Sequence, residues 1–417
     1  MTDRASNAPT PAKYNRWLVV FAGIGINLVL GVLYSWSVVS KKIPTDWNWT
    51  EADRSLPYSV ACLVFSLAMV PAGRMQDRIG PRVVASIGGL LMGAGMILAS
   101  MANTPLMYTL GFGVLVGLGM GFGYSSTTPP AIKWFPAART GLIAGMVVGG
   151  FGVASVYIAP LAESLINSYG VPTTMFSLGI GILVIATGLA QFLKVPPAGY
   201  VPPSTVAHIH DTAGRKIDFT PMEILRTWQF YVLWFMFACG AGAGLMIISK
   251  LAKMVDTQAG LKLGFMLVAC LAVGNGGGRV MAGFVSDKIG RRATMFICFL
   301  AQAVLILLLS QANKENFLGT TPVLVVLSAL IGANYGANLA LFPSVAKDFY
   351  GLKNFGANYG LIFTAWGLGG FMLSMLAGKV YDATKTFTFA YECSAGLLVA
   401  AAVVTFLVTP PRHKENQ

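Results

Sequence analysis

The chain has 417 residues, of which 55% are hydrophobic and only 11% charged, and its mean hydropathy is +0.67. So little polar surface cannot cover a water-soluble body of this size, so the composition points to a protein built for lipid. The formal net charge of +13 does not indicate a nucleic-acid partner, because the Lys and Arg sit in short clusters between apolar stretches and form no continuous basic face.

The polar start, residues 1 to 15, lacks the short apolar core of a secretory signal, so mature and encoded chains are expected to coincide. Apolar runs of bilayer length, about 20 residues each, are then predicted at 17–39, 55–75, 82–101, 106–128, 140–163 and 173–194. A polar stretch follows from Val195 to Arg226, with Pro196, Pro197, Pro202, Pro203, His208 and His210. Six more runs are predicted at 227–250, 261–285, 292–312, 321–345, 356–380 and 387–409. The expected fold class is an all-α membrane protein of twelve transmembrane helices. Its expected organisation is an N-terminal bundle at 1–194, a cytoplasmic linker at 195–226 and a C-terminal bundle at 227–417.

The two halves are one unit written twice. Gly73-Arg-Met-Gln-Asp77-Arg78-Ile-Gly80-Pro-Arg82 returns as Gly283-Phe-Val-Ser-Asp287-Lys288-Ile-Gly290-Arg-Arg292, in each case as a tight, cationic turn between two spans. Trp17 and Trp228 open the first and seventh spans, Lys133-Trp-Phe135 matches Lys347-Asp-Phe349, and Gly141-Leu-Ile143 matches Gly360-Leu-Ile362. Repeats of this kind build two six-helix bundles that meet around a central cavity near the midplane. With the N-terminus inside, most of the 29 Lys and Arg fall on inner loops and tails. The positive-inside rule therefore places both termini in the cytoplasm of a multi-pass protein of the plasma (inner) membrane.

Two features carry no chemistry of their own. Gly111, Gly113, Gly117, Gly119, Gly121 and Gly123 lie in span four, but no strand precedes them and no Gly-Lys-(Ser/Thr) follows, so they read as a slim helix that admits a neighbour rather than a phosphate loop. Cys62, Cys239, Cys270, Cys298 and Cys393 show no Cys-x-x-Cys spacing. Neither metal, disulfide nor cofactor is expected.

The chemical centre is predicted at Arg279, the only Lys or Arg placed well inside a predicted span, where a charge is costly and marks a site or a buried pair. It precedes Asp287 by about two helical turns, roughly 12 Å, which puts it near the midplane. No acid is predicted at that depth: Glu163, Asp256, Asp382 and Glu392 all fall near outer ends. A guanidinium fork without a protein carboxylate suits a ligand carboxylate. Asn275, one turn earlier on the same face, can add a hydrogen bond.

By the same count Tyr124 and Tyr335 lie roughly 13 to 18 Å from the inner edge and can offer hydroxyls to the cavity. Asn27, Asn334 and Asn338 are deep polar residues of the sort that bond between helices. An inside-negative potential opposes uptake of a monoanion by about 2.3 kcal/mol per 100 mV, which cotransport of one proton removes. His208, His210 and His413 lie in the linker and tail, so the proton-coupling candidates are Asp256, with Lys253 nearby, and Glu392. In the duplicated turns Gly73, Asp77, Arg78, Gly283, Asp287 and Lys288 are predicted to latch the inner helix ends in one state of the cycle, and their basic residues to face the anionic inner leaflet.

The doubled Gly-xxx-Asp-(Arg/Lys)-x-Gly-x-Arg turn resembles the signature of the major facilitator superfamily, and the resemblance covers the whole chain. Tyr34-Ser-Trp36, Trp134-Phe-Pro136, Glu223-Ile-Leu-Arg-Thr-Trp-Gln-Phe230, Ala340-Leu-Phe-Pro343 and Asn358-Tyr-Gly360 are similar to its oxalate/formate antiporter and monocarboxylate transporter branch, and most of all to bacterial L-lactate/proton symporters. The resemblance places Tyr34, Tyr124, Tyr335 and Phe363 among the cavity aromatics, with Leu339 where oxalate/formate relatives carry another Tyr. Eukaryotic monocarboxylate members carry an Asp one turn before the Arg, where this chain has Asn275. Oxalate-carrying relatives place a Lys in span eleven where this chain has Trp366. One deep cation rather than two argues for a monoanion, since a second carboxylate would lie unpaired at low dielectric.

The function expected on these grounds is secondary active transport of a small monocarboxylate, L-lactate or pyruvate, with a proton, by alternating access and as a monomer in the lipid bilayer. The alternative is an electroneutral organic-anion exchanger of the oxalate/formate type. No catalytic motif such as His-Glu-x-x-His or Gly-x-Ser-x-Gly points to an enzyme.

Overall fold

The computed structural model describes residues 14–136, 140–197, 200, 218–351 and 354–411. His208, His210 and His413 lie outside them.

The first span is composite. Asn15 caps α1 (Arg16–Leu30) by accepting the Trp17 N–H at 3.0 Å, and a 3-10 turn at Gly31–Ser35 leads into α2 (Trp36–Lys41). A capping box of Thr50 and Asp53 starts α3 (Glu51–Ile79). Then come α4 (Pro81–Ser100), the short α5 (Pro105–Tyr108), a π-helical stretch at Thr109–Val116, α6 (Gly117–Lys133), α7 (Thr140–Val153) and α8 (Ser155–Ala190). After the one-turn α9 (Pro221–Ile224), the second half holds α10 (Trp228–Ala259), α11 (Gly264–Ile289), α12 (Arg291–Gln311), α13 (Thr321–Tyr350), α14 (Phe355–Thr384) and α15 (Thr388–Val404).

Among the described residues eleven helical stretches are long and apolar enough to cross a bilayer. One of them, Leu142–Ala190, contains two of the twelve expected spans. Its backbone leaves the helical region at Gly170 (φ 78°, ψ 171°), just before Pro172, and that break separates the fifth span from the sixth. The chain is therefore two six-helix bundles. In the duplicated turns Gly80 and Gly290 adopt nearly the same conformation, φ 91° and 87°, a region other residues enter only with strain. Each stops one helix and lets the next begin within a residue, so the repeat in sequence is a repeat in backbone geometry.

Tight packing fixes the helix that carries Arg279. Gly274 and Gly278 of α11 face Gly332 and Gly336 of α13 as interleaved small-xxx-small pairs. A methyl group at any of the four would overlap a backbone carbonyl opposite: Ala329, Ala333, Leu271 or Asn275. The two backbones touch along this seam, which leaves α11 little freedom to rotate and so fixes where Arg279 points.

The halves meet chiefly through α3 along α14 and through α7 and α8 against α11, and the contact is one-sided. A Cβ at Gly378 would lie 2.7 Å from the Glu51 carbonyl, and one at Gly367 2.6 Å from the Cys62 carbonyl. At Gly360 the nearest atom is a Val70 methyl at 3.6 Å, and at Gly356 nothing lies within 4 Å. Helices α3 and α14 therefore touch at the face opposite the duplicated turns, here the far face, and diverge toward the face that carries those turns, the signature face.

Candidate functional site

Arg279 lies half-buried on α11 at the junction of the two bundles. Its Nε donates to Asn275 Oδ1 at 3.1 Å, one turn back on the same helix, and its Nη1 donates to the Val148 carbonyl of α7 at 3.0 Å. Gly152, one turn beyond Val148, makes room for it: a Cβ there would come within 3.2 Å of the guanidinium. The charge is within electrostatic reach of the hydroxyls of Tyr34, Tyr124, Tyr335 and Tyr359. Among the described residues it has no carboxylate partner. Its acceptors are neutral, so most of its charge is uncompensated by protein.

The phenols form a chain across the interface. Tyr34, in the 3-10 break of the first span, shares a 2.7 Å hydrogen bond with Tyr335 of α13, and Trp366 Nε1 donates to the Tyr335 hydroxyl at 2.8 Å. Phe363 stacks on Trp366 (5.1 Å, 14°) and lies over Tyr124 (6.3 Å, 22°). Phe65 and Phe151 complete the wall, Phe65 against Tyr124, Phe363 and Trp366, and Phe151 edge-on to Tyr34 at 4.9 Å. The other five predicted substrate residues are thus brought together with Arg279: Asn275, Tyr34, Tyr124 and Tyr335 around it and Phe363 against Tyr124. The buried Asn275 Nδ2 has no partner among the described residues, so a donor is free beside the guanidinium. A carboxylate placed here could accept from both, while its apolar remainder met Phe363, Trp366 and Phe65.

The other predicted deep amides bond along or between helices. Asn27 donates to the Gly23 carbonyl and to Thr127 Oγ1, both at 2.9 Å, whereas Asn334 and Asn338 donate to carbonyls one turn back on α13.

Lys250 corrects the expectation that Arg279 is the only deeply buried cation. The apolar run stops near Lys250, but α10 continues to Ala259, so its side chain is only 1% exposed and is held by Glu51, Nζ to Oε2 at 3.0 Å. The proton-coupling candidates also separate. Asp256 pairs with Lys41 of the other half at 3.3 Å, whereas Lys253 turns to Glu51 at 3.8 Å and to the Tyr381 ring at 5.1 Å. Glu392 is exposed on α15, beside the buried Tyr391.

The duplicated turns bear no ion pair between halves among the described residues. Asp77 lies 4.0 Å from Lys133, Asp287 pairs with Arg291 at 2.8 Å, and Arg291 also reaches Asp348 at 3.3 Å, each within its own half. Lys288 packs over Phe284. The far face, by contrast, carries Lys41 with Asp256, Lys250 and Lys253 with Glu51, and the Asp382 carboxylate on the Glu51 and Ala52 N–H groups, all of them crossing the halves. Among the described residues the halves are joined by ion pairs at the far face and by none at the signature face, where α3 and α14 diverge.

Some members of the site were not read from sequence. Tyr359 sits one turn before Phe363 on α14 and inside the Asn358-Tyr-Gly360 motif, so helical spacing could have found it. Phe65, Phe151 and the Val148 carbonyl had no local signal.

Comparison with known proteins identifies the family and the fold. A family model described as Major Facilitator Superfamily matches residues 17–273 and 253–417. The chain is 30% identical over 357 residues to the oxalate:formate antiporter of Oxalobacter formigenes, covering 84% of this chain and 81% of that one. It is 24% identical over 397 residues to monocarboxylate transporter 13 of Rattus norvegicus, with 95% and 89% covered. Among solved structures, a bacterial homolog of the human lysosomal transporter Spinster has the same fold, with a TM-score of 0.65 at 17% identity over 94% of this chain and 95% of that one.

Proposed function

The chain belongs to the Major Facilitator Superfamily, and on that premise we propose that it moves a small monocarboxylate, L-lactate or pyruvate, together with a proton across the plasma membrane by alternating access. It is a membrane transporter and not an enzyme, as its relatives are. The observation that carries the substrate class is Arg279: a guanidinium between the two halves, bonded only to neutral acceptors, with an unpartnered Asn275 amide beside it. Trp366 favours one carboxylate over two, because it fills the far wall with an indole instead of a second cation. The signature face is assigned to the cytoplasm by its basic turns, which puts both termini inside, and a single chain suffices because it holds both halves of the pathway.

In this scheme the anion binds Arg279, Asn275, Tyr124 and the Tyr34–Tyr335 pair, with Phe363 against its apolar part. The bonds from Arg279 to Val148 and from Tyr34 to Tyr335 join the halves. A bound carboxylate competes with them and so can change the balance between the two bundle orientations. The proton is assigned to Asp256, which bridges to Lys41 across the far face and lies at its solvent edge, with Lys253 one turn away; Glu392, exposed on α15, is the second candidate.

Asp256→Asn is therefore expected to bind L-lactate normally yet take it up at the same rate with and without an inward proton gradient, measured with labelled L-lactate in proteoliposomes. Proton-driven uptake that survives the substitution removes Asp256 from the scheme. The similarity to an oxalate:formate antiporter favours exchange as the second reading. In that case internal unlabelled substrate, and not a proton gradient, would accelerate uptake by the unsubstituted protein.

The parted signature face is one end of the cycle, and the turns around Asp77 and Asp287 are assigned to close it at the other. Asp287→Asn should lower the maximal transport rate several-fold and leave the half-saturation concentration within about twofold, since it touches no cavity residue. A loss of affinity at unchanged maximal rate contradicts the latch.

A further inference from the structure

At the far face one carboxylate holds three cations. Glu51, the first residue of α3, reaches Lys250 Nζ at 3.0 Å, Arg54 Nε at 3.6 Å and Lys253 Nζ at 3.8 Å, and its backbone carbonyl also accepts from Lys250 at 3.1 Å. The side chain of Lys250 is 1% exposed and that of Glu51 12%. Beside them a cavity of about 440 Å³ opens, lined in part by Lys41, Arg54, Lys253, Lys385, Glu51 and Asp382. Asp382 of α14 accepts from the Glu51 and Ala52 N–H groups of α3 at 2.8 Å, so while the face is closed it too is engaged across the halves.

The partners divide unequally between the halves. Glu51 and Arg54 share α3 and travel together, whereas Lys250 and Lys253 stay on α10. Alternating access requires the far face to open, and opening draws α3 away from α10. Glu51 then keeps Arg54, and the buried Lys250 loses the one carboxylate that contacts it, with Asp382 of its own half acting on it only at longer range, a state that is costly until an anion takes the vacated place.

We propose that Lys250 and Lys253 form a second carboxylate-binding site, which Glu51 occupies while the far face is closed and the transported monocarboxylate occupies once it opens. Glu51 is the internal stand-in: its contacts show that this pair of ammonium groups accepts a carboxylate. The anion arriving from the far side displaces it, so that opening is favoured when substrate is there to neutralise the pair. The proposal rests on the transport reading above for the identity of the anion, but the site itself is independent of Arg279.

The test uses L-lactate as probe and two readouts. In oriented proteoliposomes, Glu51→Gln is expected to lower the half-saturation concentration for L-lactate applied at the far side several-fold and leave that at the signature side within twofold. Lys250→Met should raise the far-side value at least tenfold, and Glu51→Gln with Lys250→Met should lose the gain of Glu51→Gln alone. Equal changes on both sides, or none, overturn the proposal. The second readout needs no transport. In the Arg279→Ala background, which removes the central site, adding Glu51→Gln should leave a protein that L-lactate still stabilises against heat relative to chloride at equal ionic strength, and adding Lys250→Met should abolish that stabilisation. No stabilisation of Arg279→Ala with Glu51→Gln overturns the second site whatever the transport result. Stabilisation without transport of L-lactate by the unsubstituted protein leaves the site standing and removes the proposed function instead.

Discussion

Arg279→Ala is expected to abolish monocarboxylate transport while leaving a folded protein in the membrane. Removing one partner of a desolvated, hydrogen-bonded charge pair costs about 3–5 kcal/mol, and each 1.4 kcal/mol is about tenfold in affinity. Binding of the anion should therefore weaken by about two to three and a half orders of magnitude. Fold is spared because Arg279 spends its bonds on Asn275 Oδ1 and the Val148 carbonyl, both neutral, so no acid is stranded by its loss. Arg279→Lys keeps the charge but loses the planar fork, and should recover only part of the affinity. The check is equilibrium binding of labelled L-lactate to purified protein, alongside its elution as a single species. If Arg279→Ala binds L-lactate as tightly as the unsubstituted protein, the substrate site lies elsewhere.

A second large effect is expected at a residue that touches no substrate. Gly278→Leu places a side chain where α11 and α13 are in backbone contact: even a methyl group there would meet the Ala333 carbonyl. Neither backbone can yield without breaking the seam that also includes Gly274, Gly332 and Gly336, so the helices must separate. Overpacking of a tight core costs about 1–3 kcal/mol and more when only backbone stands opposite. Helix association in lipid has no hydrophobic drive to offset that loss. Gly278→Leu should therefore lower the midpoint of thermal unfolding by many degrees and reduce transport below detection. Gly277→Ala, whose added methyl meets nothing within 4 Å, should behave like the parent. Equal stability of the two variants would show that the seam does not position Arg279.

The parts of the molecule that repeat along the chain or follow from hydropathy were legible in the sequence. The duplicated turn announced two equivalent bundles, and Gly80 and Gly290 carry that identity into the backbone. Bilayer length located the spans, and even the fused stretch Leu142–Ala190 divides at Gly170, in the gap between the runs predicted at 140–163 and 173–194. Arg279 stood out because one charge in an apolar helix needs no partner to be noticed.

What escaped is what depends on two distant segments meeting. Glu51 and Lys250 are separated by 199 positions and Tyr34 and Tyr335 by 301, and nothing local in either member of a pair names the other. Lys250 also sat at the edge of an apolar run, where hydropathy reads a charge as the end of a span although the helix continues for two more turns. The pairing of Asp256 with Lys41, instead of the neighbouring Lys253, has the same origin: sequence proximity suggested one partner, and the contact of α2 with α10 across the halves supplied another.

The most direct test of proton-coupled monocarboxylate transport centred on Arg279 is uptake of labelled L-lactate into proteoliposomes with and without an inward proton gradient, for the unsubstituted protein and for Arg279→Ala. The account predicts uptake that the gradient accelerates, that a protonophore returns to the ungraded rate, and that Arg279→Ala lacks under both conditions. Uptake by the unsubstituted protein that ignores the gradient, or that persists in Arg279→Ala, would contradict it.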